Sequence, residues 1–190
     1  MDTKNIMIVG VGGQGSVLAS KLLGVLLVSE GYDVKVSEVH GMSQRGGSVV
    51  TYVRYGEKVA SPVIDKGEAD FIVSFEILEA ARWLPYLKKD GRIVTNIQEI
   101  DPMPVVIGAA GYPENLAEKL KATGANVDAM DCVALAAQAG NLKAVNLVLL
   151  GRLSHYFDIP EESWTNAIRA CVPAKFLDVN LKAFALGKEA

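Results

Sequence analysis

Asn5 to Val9, N-I-M-I-V, is a short unbroken apolar run, the pattern of a parallel strand buried on both faces. It opens into G-V-G-G-Q-G at Gly10 to Gly15. Ser16 to Glu30 then carries Val17, Leu18, Leu22, Val25 and Leu26 at helical spacing, with Gly31 placed to end the helix. Tyr32 to Ser37 predicts a second strand, so the opening forty residues read as one right-handed βαβ unit with a parallel strand pair. Val49 to Val53 predicts a further strand. Gly56-Glu57-Lys58 reads as a turn into Val59 to Ile64, an antiparallel hairpin whose second strand Pro62 confines to an edge. Asp70 to Phe75 is another buried run. Glu76 to Lys89 reads as a helix with Ile77, Leu78, Ala81, Leu84 and Leu87 inward, kinked or ended early at Pro85. Asp90-Gly91 turns the chain into a strand at Arg92 to Asn96. Val105 to Ala109 predicts a strand, Pro113 to Ala122 a helix closed by Gly124, and Val127 to Ala129 a last short strand.

From Asp131 onward the pattern is helical. Asp131 caps a helix through Ala139, Asn141 a second through about Phe157, and Pro160 to Ala170 forms a third. Leu177 to Leu186 is a fourth, with Gly187 placed to terminate it. The second of these, K-A-V-N-L-V-L-L-G-R-L, is apolar almost all round and predicts burial against the sheet or a partner subunit. The expected fold class is α/β: a Rossmann-like three-layer fold with a mostly parallel sheet and a helical C-terminal third. It reads as a single domain over residues 1–190, with residues 1–130 the α/β core and 131–190 helices packed on it.

Composition narrows the picture. The chain has 190 residues, half of them apolar and 22% charged, which is globular rather than disordered. A net charge of −3 without a Lys/Arg cluster gives no nucleic-acid or polybasic membrane footprint. Residues 1–5 lead straight into a strand rather than a signal-type run, and Ala144 to Leu150 is too short to span a bilayer, so a cytoplasmic protein is expected. Two cysteines, Cys132 and Cys171, stand far apart and are too few for an iron–sulfur or zinc ligand set; free buried thiols are expected, with a disulfide as the alternative.

Two stretches carry candidate chemistry. The glycine turn, with Gly10, Gly12, Gly13, Gln14 and Gly15, lies between a strand and a helix N-terminus, a geometry suited to phosphate. Glu38 ends the second strand about 23 residues after Gly15, near the spacing at which a dinucleotide site holds a ribose hydroxyl. A free-standing NAD(P)- or flavin-binding oxidoreductase using Gly10, Gly12, Gly15 and Glu38 is one reading; glycines that merely permit close helix–strand packing are the other. The second stretch, Val36 to Arg54, places Glu38, His40, Gln44 and Arg45 around Gly41, Gly46 and Gly47 between two strands. Arg45 can pair a carboxylate or phosphate in two-pronged fashion, and His40 can exchange a proton near neutrality. Bracing of the loop or of an interface accounts for the same residues. His155 reads as a packed or capping histidine, Glu76 and Glu79 as helix-dipole partners or interface charges, and Arg82-Trp83 as a surface or interface anchor. The chain carries no cysteine cluster, thiamine-type G-D-G…N-N pattern or metal triad, and resembles part of an active site rather than a whole one.

Together the motifs resemble a family. G-V-G-G-Q-G with A-S-K-L-L-G at Ala19 to Gly24 resembles the opening of the gamma-type domain of 2-oxoacid:ferredoxin oxidoreductases. S-E-V-H-G-M-S-Q-R-G-G-S-V at Ser37 to Val49 is similar to one branch, the beta subunits of indolepyruvate ferredoxin oxidoreductases. Ser61-Pro62, G-E-A-D at Gly67 to Asp70 and F-E-I-L-E-A at Phe75 to Ala80 match it as well. The resemblance covers Asn5 to Asn96; beyond Pro102 only length and the helical ending match. It implies a small subunit, inactive alone, of a complex that oxidatively decarboxylates an aryl pyruvate, with coenzyme A taking the acyl group and ferredoxin the electrons. Thiamine diphosphate and iron–sulfur clusters are implied on a large alpha subunit, in a hetero-oligomer, with a homodimer as the isolated form. The glycine turn would then dock either the partner or the phosphates of coenzyme A, with Gln44, Gly46 and Gly47 beside it. Glu38, His40 and Arg45 become candidates for completing a shared site. A relative that kept the fold and lost the reaction fits the same motifs.

Overall fold

A computed structural model describes residues 2–39 and 46–190. One sheet holds β1 (Lys4–Val11), β2 (Asp33–Val39), β3 (Ser48–Gly56), β4 (Ala69–Ser74), β5 (Leu87–Asn96) and β6 (Asn126–Met130), in the order β2-β3-β1-β4-β5-β6. Every strand but β3 runs the same way, which is the expected mostly parallel sheet. The expected β1–β2 neighbour pair is not present. β3 lies between them, antiparallel to both, from Lys4↔Tyr55 to Val11↔Ser48 on one side and Asp33↔Gly56 to Val39↔Val50 on the other. Only residues 40–47 separate β2 from β3, too few for a crossover, so the chain returns antiparallel. V-V-T-Y-V, β-branched and aromatic on both faces, suits that interior position.

The expected hairpin with Val59 to Ile64 is absent for the same reason: both edges of β3 are already paired. Side chains hold that segment instead. Val59 N–H donates to Asp33 Oδ2 at 2.8 Å, and Arg54 donates to the carbonyls of Ser61 (3.0 Å) and Val63 (2.8 Å).

Strand alternation splits the core in two. Ile6, Ile8, Val53, Val73 and Val94 face α1 (Ser16–Ser29) and the C-terminal helices α5 (Cys132–Ala139), α6 (Val145–Ser154), α7 (Glu161–Cys171) and α8 (Leu177–Glu189). Met7, Val9, Val50, Ile72 and Ile93 face α2 (Ile77–Trp83) and α4 (Leu116–Ala122). Pro85 ends α2 as anticipated. A 3-10 turn at Leu84–Tyr86 leads straight into β5, so the helix is shorter and the strand longer than the apolar spacing implied. Asp90-Gly91 makes a bulge in β5 rather than a turn before it: Asp90 has φ 65° and the register against β4 shifts between Ala69 and Phe71.

Val105 to Ala109 is not a strand. It begins inside the end of α3 (Met103–Val106), where the Pro102 carbonyl accepts from Val105 N–H (2.8 Å) and Val106 N–H (3.1 Å). Pro102 and Pro104 stand where a helix start needs no donors, and a short apolar run does not distinguish helix from strand.

In the C-terminal layer Asp131 caps α5 by accepting from Ala134 N–H at 2.9 Å, and Asn141 accepts from Lys143 N–H at 3.0 Å ahead of α6. Nearly every residue of α6 is buried. Gly187 does not terminate α8, which continues to Glu189. It lies inside a helix crossing so close that a Cβ on Gly187 would stand 2.0 Å from the Val148 oxygen, and one on Gly151 2.0 Å from the Phe184 oxygen. Among the described residues, no helix is long and apolar enough to cross a membrane.

Candidate functional site

The connection after β1 leads to α1 on one face of the sheet, and that after β4 leads to α2 on the other. Between the carboxyl ends of two such strands, open α/β sheets present a ligand crevice. Here a side chain reaches across it. Gly10 runs so near β4 that a Cβ would meet Phe75 Cβ at 2.9 Å and Gln14 Oε1 at 2.9 Å. Gln14 accepts from Val11 N–H at 2.8 Å and donates to the Phe75 carbonyl (3.1 Å) and Gln98 Oε1 (3.3 Å). Asn96 joins the same carbonyl and the same Gln98 oxygen, and takes the Cys132 N–H at 3.1 Å. At about 1 kcal/mol per bond, this network ties the glycine turn to the ends of β4, β5 and β6. A dinucleotide needs the crevice open and an acid on the strand next to β1. β3 intervenes between β1 and β2, so the free-standing Rossmann-type reading finds no support.

The glycine turn is also bound to the base of the β2–β3 connection. Gly12 N–H donates to the Gly47 carbonyl at 2.8 Å, and Gly46 N–H to the Gly12 carbonyl at 3.4 Å. Glu38, at the end of β2, accepts from Ser20 Oγ of α1 at 2.7 Å. A recess of about 330 Å³ lies between these elements, lined by Gly12, Gly13, Gly15, Ser16, Glu38 and Thr51 among others. Its polar character comes from turn backbone, the first turn of α1 and the Glu38 carboxylate. Across the turn a second recess, about 460 Å³, is lined by Gly13, Gln14, Gly15, Gln98 and the exposed Lys143, with Val133 and Val145 beside them. Of the site residues expected from sequence, Gly10, Gly12, Gly13, Gln14, Gly15, Glu38, Gly46 and Gly47 are brought together. His40, Gln44 and Arg45 lie outside the described residues.

Two residues hold this arrangement from behind, and of their two expected roles the one at the helix start is what the fold shows. Glu76 and Glu79 are not interface charges: both are buried, at 1% and 2% exposure. Glu76 caps α2, accepting from Glu79 N–H at 2.8 Å, and also takes the Ile100 N–H (3.1 Å) and the Tyr112 hydroxyl. Burial first, then that hydrogen bond, raise the Tyr112 phenol well above its ordinary pKa. Glu79 is bound by Ser48 Oγ and by Arg82 at 2.6 Å. An acid at the helix start with another three residues on, E-I-L-E, was the legible signal.

Cys132 and Cys171 are free; Cys132 is fully buried, and burial pushes its thiol far up. His155 follows the last turn of α6, exposed and edge-on to Tyr156. Among the described residues no three His, Cys, Asp or Glu side chains are grouped to hold a metal ion, so this donor set does not fit an iron–sulfur cluster.

Fold and site thus define an α/β platform with recesses on either side of its glycine turn. The profile of the pyruvate ferredoxin/flavodoxin oxidoreductase family matches residues 5–190, and the chain belongs to that family. Indolepyruvate oxidoreductase subunit IorB of Thermococcus kodakarensis is 47% identical to it over 196 residues, covering 100% of this chain and 96% of that one. The crystal structure of pyruvate oxidoreductase subunit PORC from Thermotoga maritima superposes with a TM-score of 0.73 at 22% identity, over 100% of this chain and 97% of the other. The 2-oxoglutarate:ferredoxin oxidoreductase of Magnetococcus marinus, with 2-oxoglutarate, coenzyme A and succinyl-CoA bound, gives a TM-score of 0.73 at 19% identity. That match covers 100% of this chain and 31% of the other, so there the fold is one part of a longer polypeptide. The likeness noted in residues 5–96 therefore extends along the whole chain.

Proposed function

We propose that this chain is the small subunit of a cytoplasmic indolepyruvate (aryl-pyruvate):ferredoxin oxidoreductase, working as one gamma-type unit over residues 1–190. The observation that carries the reading is the full-length 47% identity to the Thermococcus kodakarensis IorB subunit. The overall reaction converts an aryl 2-oxoacid, coenzyme A and two oxidised ferredoxins to aryl-acetyl-CoA, carbon dioxide, a proton and two reduced ferredoxins. Thiamine diphosphate and iron–sulfur clusters, held on the large partner, supply the decarboxylation and electron-transfer chemistry. This chain contributes the wall made by the glycine turn and the stems of the β2–β3 connection. It excludes water and orients substrate, with Glu38, His40 and Arg45 completing the shared site. Hydrogen bonds between Gly12 and Gly46–Gly47 support treating the two motifs as one surface.

Co-expression with the large subunit tests the reading. The expected result is a stable complex that reduces ferredoxin or a viologen dye with aryl pyruvate and coenzyme A, neither chain acting alone. Full activity from the large chain alone would end it. Arg45→Ala in the complex should lower kcat/KM by about 10- to 100-fold; wild-type kinetics would remove Arg45 from the site.

A further inference from the structure

The recess beside the glycine turn has a front and a back. On the front face, Val49 and Thr51 of β3 line it with Gly12, Gly13 and Glu38. On the opposite face of the same strand, Ser48 turns toward α2 and donates its hydroxyl to Glu79. Ser48 pairs with Val11, the last β1–β3 pair before the glycine turn, and adjoins Gly47, whose carbonyl takes the Gly12 N–H. Three consecutive residues are therefore fixed: Gly46 and Gly47 by Gly12, and Ser48 by Glu79.

The Glu79 carboxylate is 2% exposed. Desolvating a carboxylate is costly unless it is paired and hydrogen-bonded. Arg82, one turn along the same helix, reaches Glu79 Oε1 at 2.6 Å from a side chain that is 43% exposed. A surface i,i+3 pair of that kind requires no burial of the acid. Burial brings Glu79 Oε2 within reach of the serine that begins β3.

We propose that Glu79 is a positioning residue for the reaction of the assembled enzyme. Through Ser48 it sets the approach of Gly46–Gly47 to Gly12, and with it the shape of the recess on the other face of the strand. The proposal rests on the reading of that surface as a wall of the shared site. Ser48 lies on the surface and Glu79 in the interior, and neither touches substrate. Their effect is geometric: a displacement of about 1 Å at a wall can cost as much as 100-fold in rate.

The test uses the two-chain complex. Ser48→Ala and Glu79→Gln should each lower kcat/KM about tenfold, mainly through KM for the oxoacid or coenzyme A, with complex formation retained and only a modest drop in melting temperature for Ser48→Ala, since Arg82 still pairs the Glu79 carboxylate. Ser48→Thr, which keeps the hydroxyl, should restore wild-type kinetics. The double variant Ser48→Ala/Glu79→Gln should be no worse than either single change, because the pair acts as one device. Wild-type kinetics for Ser48→Ala would overturn the proposal, including the case where Glu79→Gln alone is impaired or fails to assemble. Fully additive effects would overturn it as well. Arg45→Ala separates the two levels: if it is impaired while Ser48→Ala is not, the wall stands and the role of Glu79 falls. If Arg45→Ala is also silent, the wall itself is wrong.

Discussion

The carboxyl edge of the sheet and the α6–α8 layer both depend on glycine, in opposite ways. At the edge, Gly10, Gly12 and Gly47 bring backbones together so that polar groups can be matched one by one, and recesses are left on either side. In the helical layer, Gly151 and Gly187 remove side chains altogether, so that each helix backbone packs onto a carbonyl of the other and no space is left. The first region is shaped by individual hydrogen bonds, each worth about 1 kcal/mol. The second is shaped by close packing, where one added carbon has nowhere to go. Stability and site geometry are thus separable properties of this chain, held by different parts of it.

The comparison is broken most severely at the crossing. Gly187→Ala should destabilise the protein by about 3 kcal/mol or more, read as a lower denaturant midpoint in the isolated chain. The Ser48→Ala variant should lose clearly less, about 1 kcal/mol; equal losses in both would erase the distinction. A second fastening of the helical layer is electrostatic. Asp128 on β6 takes Arg92 at 3.1 Å, Arg152 at 3.0 Å and the Tyr156 hydroxyl, with the Arg92 guanidinium 4.3 Å above the Tyr156 ring. Burial alone would raise this carboxyl. The hydrogen bonds from Tyr156 and Arg152 and the two guanidinium charges outweigh it and hold the group below the usual range. Stability from a depressed carboxylate is present above its unfolded pKa, about 3.9, and is lost as pH falls through the lower folded value. Asp128→Asn should therefore cost about 2 kcal/mol near neutrality, with the gap to wild type narrowing below about pH 4 in acid-unfolding curves. A gap constant with pH would assign the loss to shape rather than charge. The smallest effect belongs to the Lys188–Glu161 pair between α8 and α7, exposed at 39% and 69%. Lys188→Ala should change stability by less than about 0.5 kcal/mol in the same denaturant series, and a larger loss would extend tight coupling to the outer surface of this layer.

What was legible in the sequence follows the range of the interactions. β1, the glycine turn and α1 were readable because strand, turn and helix are written in neighbouring residues, and Pro85 ended α2 where its missing donor requires. The place of β3 between β1 and β2 was not, because strand order is decided by which edges are free, and apolar runs do not record it. The same limit hid the fate of Val59 to Ile64. At Val105 to Ala109 two prolines were overlooked in favour of a β-branched run. The site divides in the same manner. Glu38 and the glycine turn were paired by a motif spacing, and the hydrogen bond from Ser20 of α1 to that acid was not foreseen. Gln14 with Gln98, 84 residues apart, and Ser48 with Glu79, 31 apart, meet only through the fold, and no local pattern announces them.

Gln14 has one further consequence. Its amide supplies an acceptor to Val11 and donors to Phe75 and Gln98 at the point where related sheets take up a soluble molecule. It acts as a tethered guest, present at a fixed effective concentration whatever the metabolite pool contains. A receptor filled by an outside compound gains stability in proportion to the logarithm of that compound's abundance. Bonds made from within carry no such dependence, so the Gln14 bridge holds the ends of β1, β4 and β5 together at any metabolite level.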